Sequence, residues 1–176
     1  MNNTFLEQAL YYRSLGFSII PAKVGSIDNG KAQKIFPIKL GEFQDRIATE
    51  QEIIEWYTKN PSWGIAVVCG KISNLVVLDV DDKNLDLSKY NLPPTVQSKT
   101  GRGFHYYFSY PKDKSEINGT IILEKGLELK GNGSTVHMPN TAYSGNIAYE
   151  WIKGPDNTKL AELPESIFQN IKSQKE

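Results

Sequence analysis

The stretch "NLVVLDVDD", residues 74–82, decides the reading of this chain. Leu75 to Leu78 want burial in a sheet, yet they run straight into Asp79, Asp81 and Asp82. Residues i and i+2 of a strand share a face. Asp79 and Asp81 therefore project together, while Asp82 goes with Val80 to the other side and is expected to be dispensable for metal binding. Two carboxylates so close repel, and burying either one unpaired costs several kcal/mol. A divalent cation resolves both problems, and Mg²⁺ or Mn²⁺ suits carboxylate oxygens while leaving positions for a phosphate substrate. The competing explanation is a strand that simply ends in a polar turn.

The rest of the chain supplies the surroundings. Its 176 residues are enough for one domain with a real core. Twenty basic residues balance twenty acidic ones, so any anion-binding surface must be local. The lone Cys69 excludes an internal disulfide or a thiolate cluster and reads as a buried small residue in a reducing compartment. No apolar leader or run of about 20 apolar residues is present, so a cytoplasmic protein with no membrane contact is expected.

"TFLEQALYYRSLG" (4–16) predicts a helix with a Thr4/Glu7 capping box and a Gly16 stop. "FSIIP" (17–21) predicts a short strand ended by Pro21. Residues 22–48, basic and punctuated by Gly25, Gly30 and Gly41, are expected to be a long functional loop. "ATEQEIIEWYTKNP" (48–61) predicts a second helix capped by Thr49 and Glu52. "WGIAVVCG" and "LVVLDV", separated by "KISN", predict a hairpin. "FHYYFSY", "IILE", "LELKG", "STVHM" and "IAYEWI" predict further strands, and "LPESIFQNIKSQ" a closing helix. This order gives an α+β fold with one large, mostly antiparallel sheet.

Two further constellations carry chemistry. In "SKTGRGFHYYF" (98–108), Gly101 and Gly103 let the backbone approach an anion, Lys99 and Arg102 add charge, and His105 can donate to phosphate. A glycine turn with solvated charges is the plainer alternative. In "KGLELKGNGSTVHMPN" (125–140), Glu128 and Lys130 share one strand face, with an amphipathic strand as the plainer reading. His137 is expected to be structural. Three acids beside a cationic cradle are what metal-dependent phosphoryl transfer to or from a nucleotide requires.

The ordered set "VVLDVD", "GFH" and "LELKG" resembles the bifunctional primase/polymerase N-terminal domain of the archaeo-eukaryotic primase superfamily. The similarity extends through "YYRSLGFSIIP", "KIFPIKLGEFQDRIAT", "STVHMPN" and "IAYEWI", roughly residues 5 to 152. The resemblance implies a small N-terminal α/β unit packed with an RRM-like, mostly antiparallel sheet around a central catalytic cleft. By the same resemblance Asp79, Asp81 and Glu128 would hold Mg²⁺ or Mn²⁺, and Thr100, Arg102, His105 and Lys130 would bind the nucleotide. Lys34 and Lys39 fall in a segment that would reach nucleotide or template.

The implied activity is DNA primase and DNA polymerase chemistry: a 3′-hydroxyl attacks the α-phosphate of a (d)NTP on a single-stranded DNA template with a primer. A metal-dependent nuclease or nucleotide hydrolase, and a non-catalytic RRM-like nucleic-acid-binding module, are the alternatives. Residues 1–176 are read as a single catalytic domain, monomeric in isolation. It is expected to be a fragment of a longer protein of plasmid or phage replication, with a helicase as further domain or partner.

Overall fold

The computed structural model describes residues 4–28, 31–113, 116–139 and 149–176. Strand β4 (Leu75–Val80) lies inside a seven-stranded sheet and is buried along its whole length. Its neighbours are β6 (Phe104–Ser109) and β8 (Leu127–Lys130), and the sheet continues outward through β5 (Val96–Lys99) and β10 (Glu150–Lys153) on one side and β7 (Thr120–Glu124) on the other. All of these pairings are antiparallel; only the short β11 (Ala161–Glu162) pairs with β6 in parallel. A second sheet of four strands has the order β2 (Lys31–Ile35), β1 (Ser18–Asp28), β3 (Gly64–Val68), β9 (Thr135–His137). Helices α1 (Thr4–Ser14) and α2 (Glu50–Lys59) belong with this smaller sheet, and α3 (Glu165–Lys175) closes the chain. The fold is α+β, as expected.

The alternation in β4 explains how the layers stack. Leu75 and Val77 join a core built from α1, α2, β1, β3 and β9. Val76, Leu78 and Val80 join a second core with Leu127, Leu129 and the α3 residues Ile167 and Phe168. Each such side chain stabilises the fold by about 1.5–3 kcal/mol on burial. Both faces of the large sheet are thus covered around β4. Asp79 shares the face of Leu75 and Val77, so it lies where the first core opens between the two sheets.

The helix boundaries follow the sequence signals. Helix α1 stops at Gly16, which has φ of +90°. The Gly16 N–H donates to Arg13 C=O (2.9 Å) and the Phe17 N–H to Tyr12 C=O (3.4 Å), the paired bonds of a Schellman stop. At α2, Thr49 Oγ1 accepts from the Glu52 N–H, and the Glu52 carboxylate accepts from the Thr49 N–H. Thr49→Ala is expected to lower unfolding free energy by about 1 kcal/mol in urea titration. Hydrogen bonds from Arg46 chiefly, at 2.6 and 2.8 Å, hold the Glu52 carboxyl at about 2, below its ordinary 4.5. Its contribution is therefore full above about pH 4.5 and lost as pH falls through about 2. Melts of wild type and Glu52→Gln should accordingly differ at neutral pH and converge over that interval.

Three expectations are corrected. Residues 22–48 are not one long loop: β1 runs on through Pro21 to Asp28 and pairs with β2. Pro21 is tolerated because β1 pairs there only with β3; the ladder to β2 begins at Lys23, so one edge of the strand is open at the proline. The segments 63–70 and 75–80 do not form a hairpin. They meet at a single bridge, Gly70 to Leu75, and then enter different sheets. The turn between them is tied to the small sheet by Ser73, whose hydroxyl donates to Val68 C=O (2.6 Å) and accepts from the Ser18 N–H (2.9 Å). With every residue of β3 and β4 buried, each strand requires neighbours on both sides, which one shared hairpin edge does not supply. The single large sheet expected is therefore two.

Candidate active site

Register builds the site. Asp79 on β4 stands directly opposite His105 on β6 and Glu128 on β8, and His105 stands opposite Ser98 on β5. Opposed residues in a ladder share a face. Glu128, Asp79, His105 and Ser98 therefore form one row across four adjacent strands. In the next row, two residues along, Lys130 lies opposite Val77, and Val77 opposite Tyr107.

Asp79 is only 7% exposed, and His105 and Lys130 compensate its burial. His105 Nε2 lies 3.3 Å from Oδ1, and Lys130 Nζ lies 3.8 Å from Oδ2. Burial alone would push this carboxyl up. The hydrogen bond and charge of His105, with Lys130 and Lys34 behind it, outweigh burial and hold the group at about 2. Asp79 is thus ionised throughout the physiological range. Lys130 Nζ also donates to Glu128 Oε2 at 2.5 Å, so one ammonium joins two carboxylates.

Asp81 follows β4, its N–H bonded to Gly126 C=O at 2.9 Å. Its Oδ2 lies 3.3 Å from Arg102 Nη2. Arg102 arrives on the tight β5–β6 turn, where the Thr100 N–H donates to Gly103 C=O (2.9 Å) and the Gly103 N–H donates to Thr100 Oγ1 (3.1 Å). Gly103 lies flat against β4: a Cβ there would sit 1.8 Å from the Val80 carbonyl oxygen. This contact seats the turn on the backbone between the two aspartates.

Asp79, Asp81, Thr100, Arg102, His105 and Lys130 all line one small cavity, with Gly101 beside them. The small sheet supplies the opposite wall through Lys34, whose ammonium donates to Thr135 C=O, and through His137. Tyr149, just before β10 at the edge of the large sheet, also lines the cavity. Its ring meets His105 edge-on at 5.8 Å between centroids and His137 at 5.9 Å. Burial chiefly, then Lys34 and His105, lowers His137 to about 3, so it is neutral. Burial and the charges of Asp79 and Asp81 push the Tyr149 phenol up to about 12.

Six of the seven site residues expected from the sequence thus meet in one cavity. Glu128 stands beside Asp79, but its carboxylate is turned onto Lys130 and is not among the groups lining the cavity. Among the described residues no three His, Cys, Asp or Glu side chains are grouped so as to hold a metal ion. Two carboxylates facing a cavity with arginine, histidine and lysine still fit Mg²⁺ or Mn²⁺, which bind through one or two carboxylates plus substrate phosphates. Asp82 turns aside, its Oδ1 accepting from the Asn84 N–H at 2.9 Å.

Tyr149 and His137 were not found as cavity residues from sequence. Both lie on short strand patterns in which alternation marks a face but not what the face meets. Cys69 is buried, its thiol pushed up to about 12 by burial, as an inert core residue should be. The expected strand residues 147 and 148 lie outside the described residues. No helix among the described residues is long and apolar enough to cross a membrane.

No curated protein matches the chain. The family model for the N-terminal domain of bifunctional DNA primase/polymerases matches residues 9–166, from within α1 to the start of α3 and across every element of the cavity. The chain belongs to the family of bifunctional DNA primase/polymerase N-terminal domains.

Proposed function

We propose that the cleft between the two sheets catalyses template-directed nucleotidyl transfer: a 3′-hydroxyl attacks the α-phosphorus of a (d)NTP, and pyrophosphate leaves. Family membership implies primase/polymerase chemistry in general terms. The observation that carries the finer reading is the pairing of two inward-facing carboxylates with two unsatisfied polar atoms. Arg102 Nε and His105 Nδ1 are buried at the cavity without a hydrogen-bond partner among the described residues. Buried polar atoms are nearly always satisfied, so these two call for a ligand. A polyphosphate provides acceptors for the arginine fork and for the imidazole.

In this reading Asp79 and Asp81, with Glu128 beside them, hold Mg²⁺ or Mn²⁺, which when bound stabilises charge at the reacting phosphorus and the leaving oxygen. Arg102 and His105 bind the triphosphate, and Thr100 fixes the turn that presents Arg102. Lys130 holds Asp79 and Glu128 in place and adds positive charge toward the phosphates. The substrates are a single-stranded DNA template, a primer or initiating nucleotide, and (d)NTPs, with a helicase as the expected functional partner. A non-catalytic RRM-like module would need a free sheet face for stacking bases. Here both faces around β4 are covered.

The test is incubation of a labelled primer on a template with (d)NTPs and Mn²⁺ or Mg²⁺. Products that lengthen according to the template support transfer, whereas strands that shorten indicate the nuclease alternative. His105→Ala should weaken nucleotide affinity about tenfold or more, the value of a hydrogen bond to a charged group, in equilibrium titration with a dNTP. Unaltered affinity would remove His105 from the nucleotide site.

A further inference from the structure

The cavity lining holds a charged cluster and, beside it, a pair of uncharged rings. Asp79, Asp81, Arg102, His105 and Lys130 come from the large sheet and its turn, and they suit phosphates and cations. Lys34 adds one ammonium from the small sheet, and the rings that carry no charge are His137, from the small sheet, and Tyr149, just before β10 of the large sheet, which contact each other at 5.9 Å. Neutral His137 lies opposite Ala66 on β3, and Tyr149 reaches from it across to His105. The uncharged wall therefore begins one ring away from a phosphate-side residue.

A nucleotide is arranged likewise, with charged phosphates joined directly to an uncharged sugar. With the triphosphate on Arg102 and His105, the sugar is the next part of the molecule to meet the protein, and the adjoining surface is the Tyr149 ring. That ring is contacted from two directions, edge-on to His105 of the large sheet and tilted against His137 of the small one. A ring in a narrow cavity discriminates by shape.

We propose that Tyr149, backed by His137, is the wall on which the sugar of the incoming nucleotide packs, and that its ring excludes a 2′-hydroxyl, making the site selective for 2′-deoxynucleotides. The inference rests on the nucleotidyl-transfer reading above and adds to it a residue that sets the sugar class. It makes Tyr149 a specificity determinant by the bulk of its ring, so the phenolic oxygen is not required.

The test compares dATP with ATP on wild type, Tyr149→Phe and Tyr149→Ala, by kcat/KM on a primed template and by equilibrium competition for the nucleotide site. Wild type should prefer dATP in both assays. Tyr149→Phe should keep that preference, and Tyr149→Ala should raise the ATP-to-dATP ratio at least about tenfold, the scale of a steric contact of this size. Tyr149→Leu provides a folded variant should the alanine change loosen the sheets; it should move the ratio in the same direction. A wild type without preference, a ratio unmoved in the alanine and leucine variants, or a preference lost in Tyr149→Phe would each overturn the proposal. Failure of the nucleotidyl-transfer reading looks different: wild type then extends no primer with either nucleotide.

Discussion

Asp81→Asn is expected to reduce nucleotide incorporation at least about 100-fold, the scale on which loss of one transition-state contact is felt, while the melting curve stays close to wild type. Asp81 is partly exposed and pairs with Arg102 at the rim, so the amide replaces it with little structural cost. Asp79→Asn should lose incorporation to the same degree and some stability as well. Buried Asp79 is the counter-charge of Lys130 and the hydrogen-bond partner of His105, and an amide leaves the Lys130 ammonium less compensated. Asp82→Asn is the control: its side chain caps the following turn away from the cavity, and activity should be unchanged. Full incorporation by either of the first two variants would contradict the assignment of the site. Equal losses in all three would show a general effect of charge near β4.

Gly103→Ala is expected to cost about 2–3 kcal/mol of stability, as overpacking at a rigid contact does, and most of the activity. The added Cβ would lie 1.8 Å from the Val80 carbonyl oxygen, and that oxygen belongs to a buried strand with no freedom to retreat. The β5–β6 turn must lift instead, carrying Thr100 and Arg102 away from the aspartates. Gly41→Ala is the matched control, because a Cβ at Gly41 meets nothing within 4 Å. Urea titration of both variants, with nucleotide affinity measured alongside, separates the two. Wild-type stability and affinity in Gly103→Ala would show that the turn does not depend on this contact.

These two cases also show what was legible in the sequence. The i, i+2 spacing of Asp79 and Asp81 predicts one shared face, and both reach the same cavity. The same period predicts Glu128 beside Lys130, and the two are joined at 2.5 Å. The capping box of α2 and the Gly16 stop were readable because they depend on neighbours within a few residues. What depended on distant pairing was not. Strands β3 and β4 look like hairpin partners because "KISN" separates them, yet Ser73 ties the turn to β1 and β3 and sends β4 into another sheet. Gly103 reads as a loop glycine that favours anion approach, and only the proximity of Val80 reveals its packing role. His137 belongs to the small sheet and Tyr149 stands just before β10 of the large one, and Tyr149 meets both His137 and His105 only through tertiary packing.

The most direct measurement is a crystal structure of the protein soaked with Mn²⁺ and a non-hydrolysable dNTP, using anomalous scattering to locate the metal. The expected result is an anomalous peak on the carboxylates of Asp79 and Asp81, with the triphosphate on Arg102 and His105. Manganese bound elsewhere, or a triphosphate seated away from Arg102 and His105, would contradict the placement of the catalytic centre in the cleft between the two sheets.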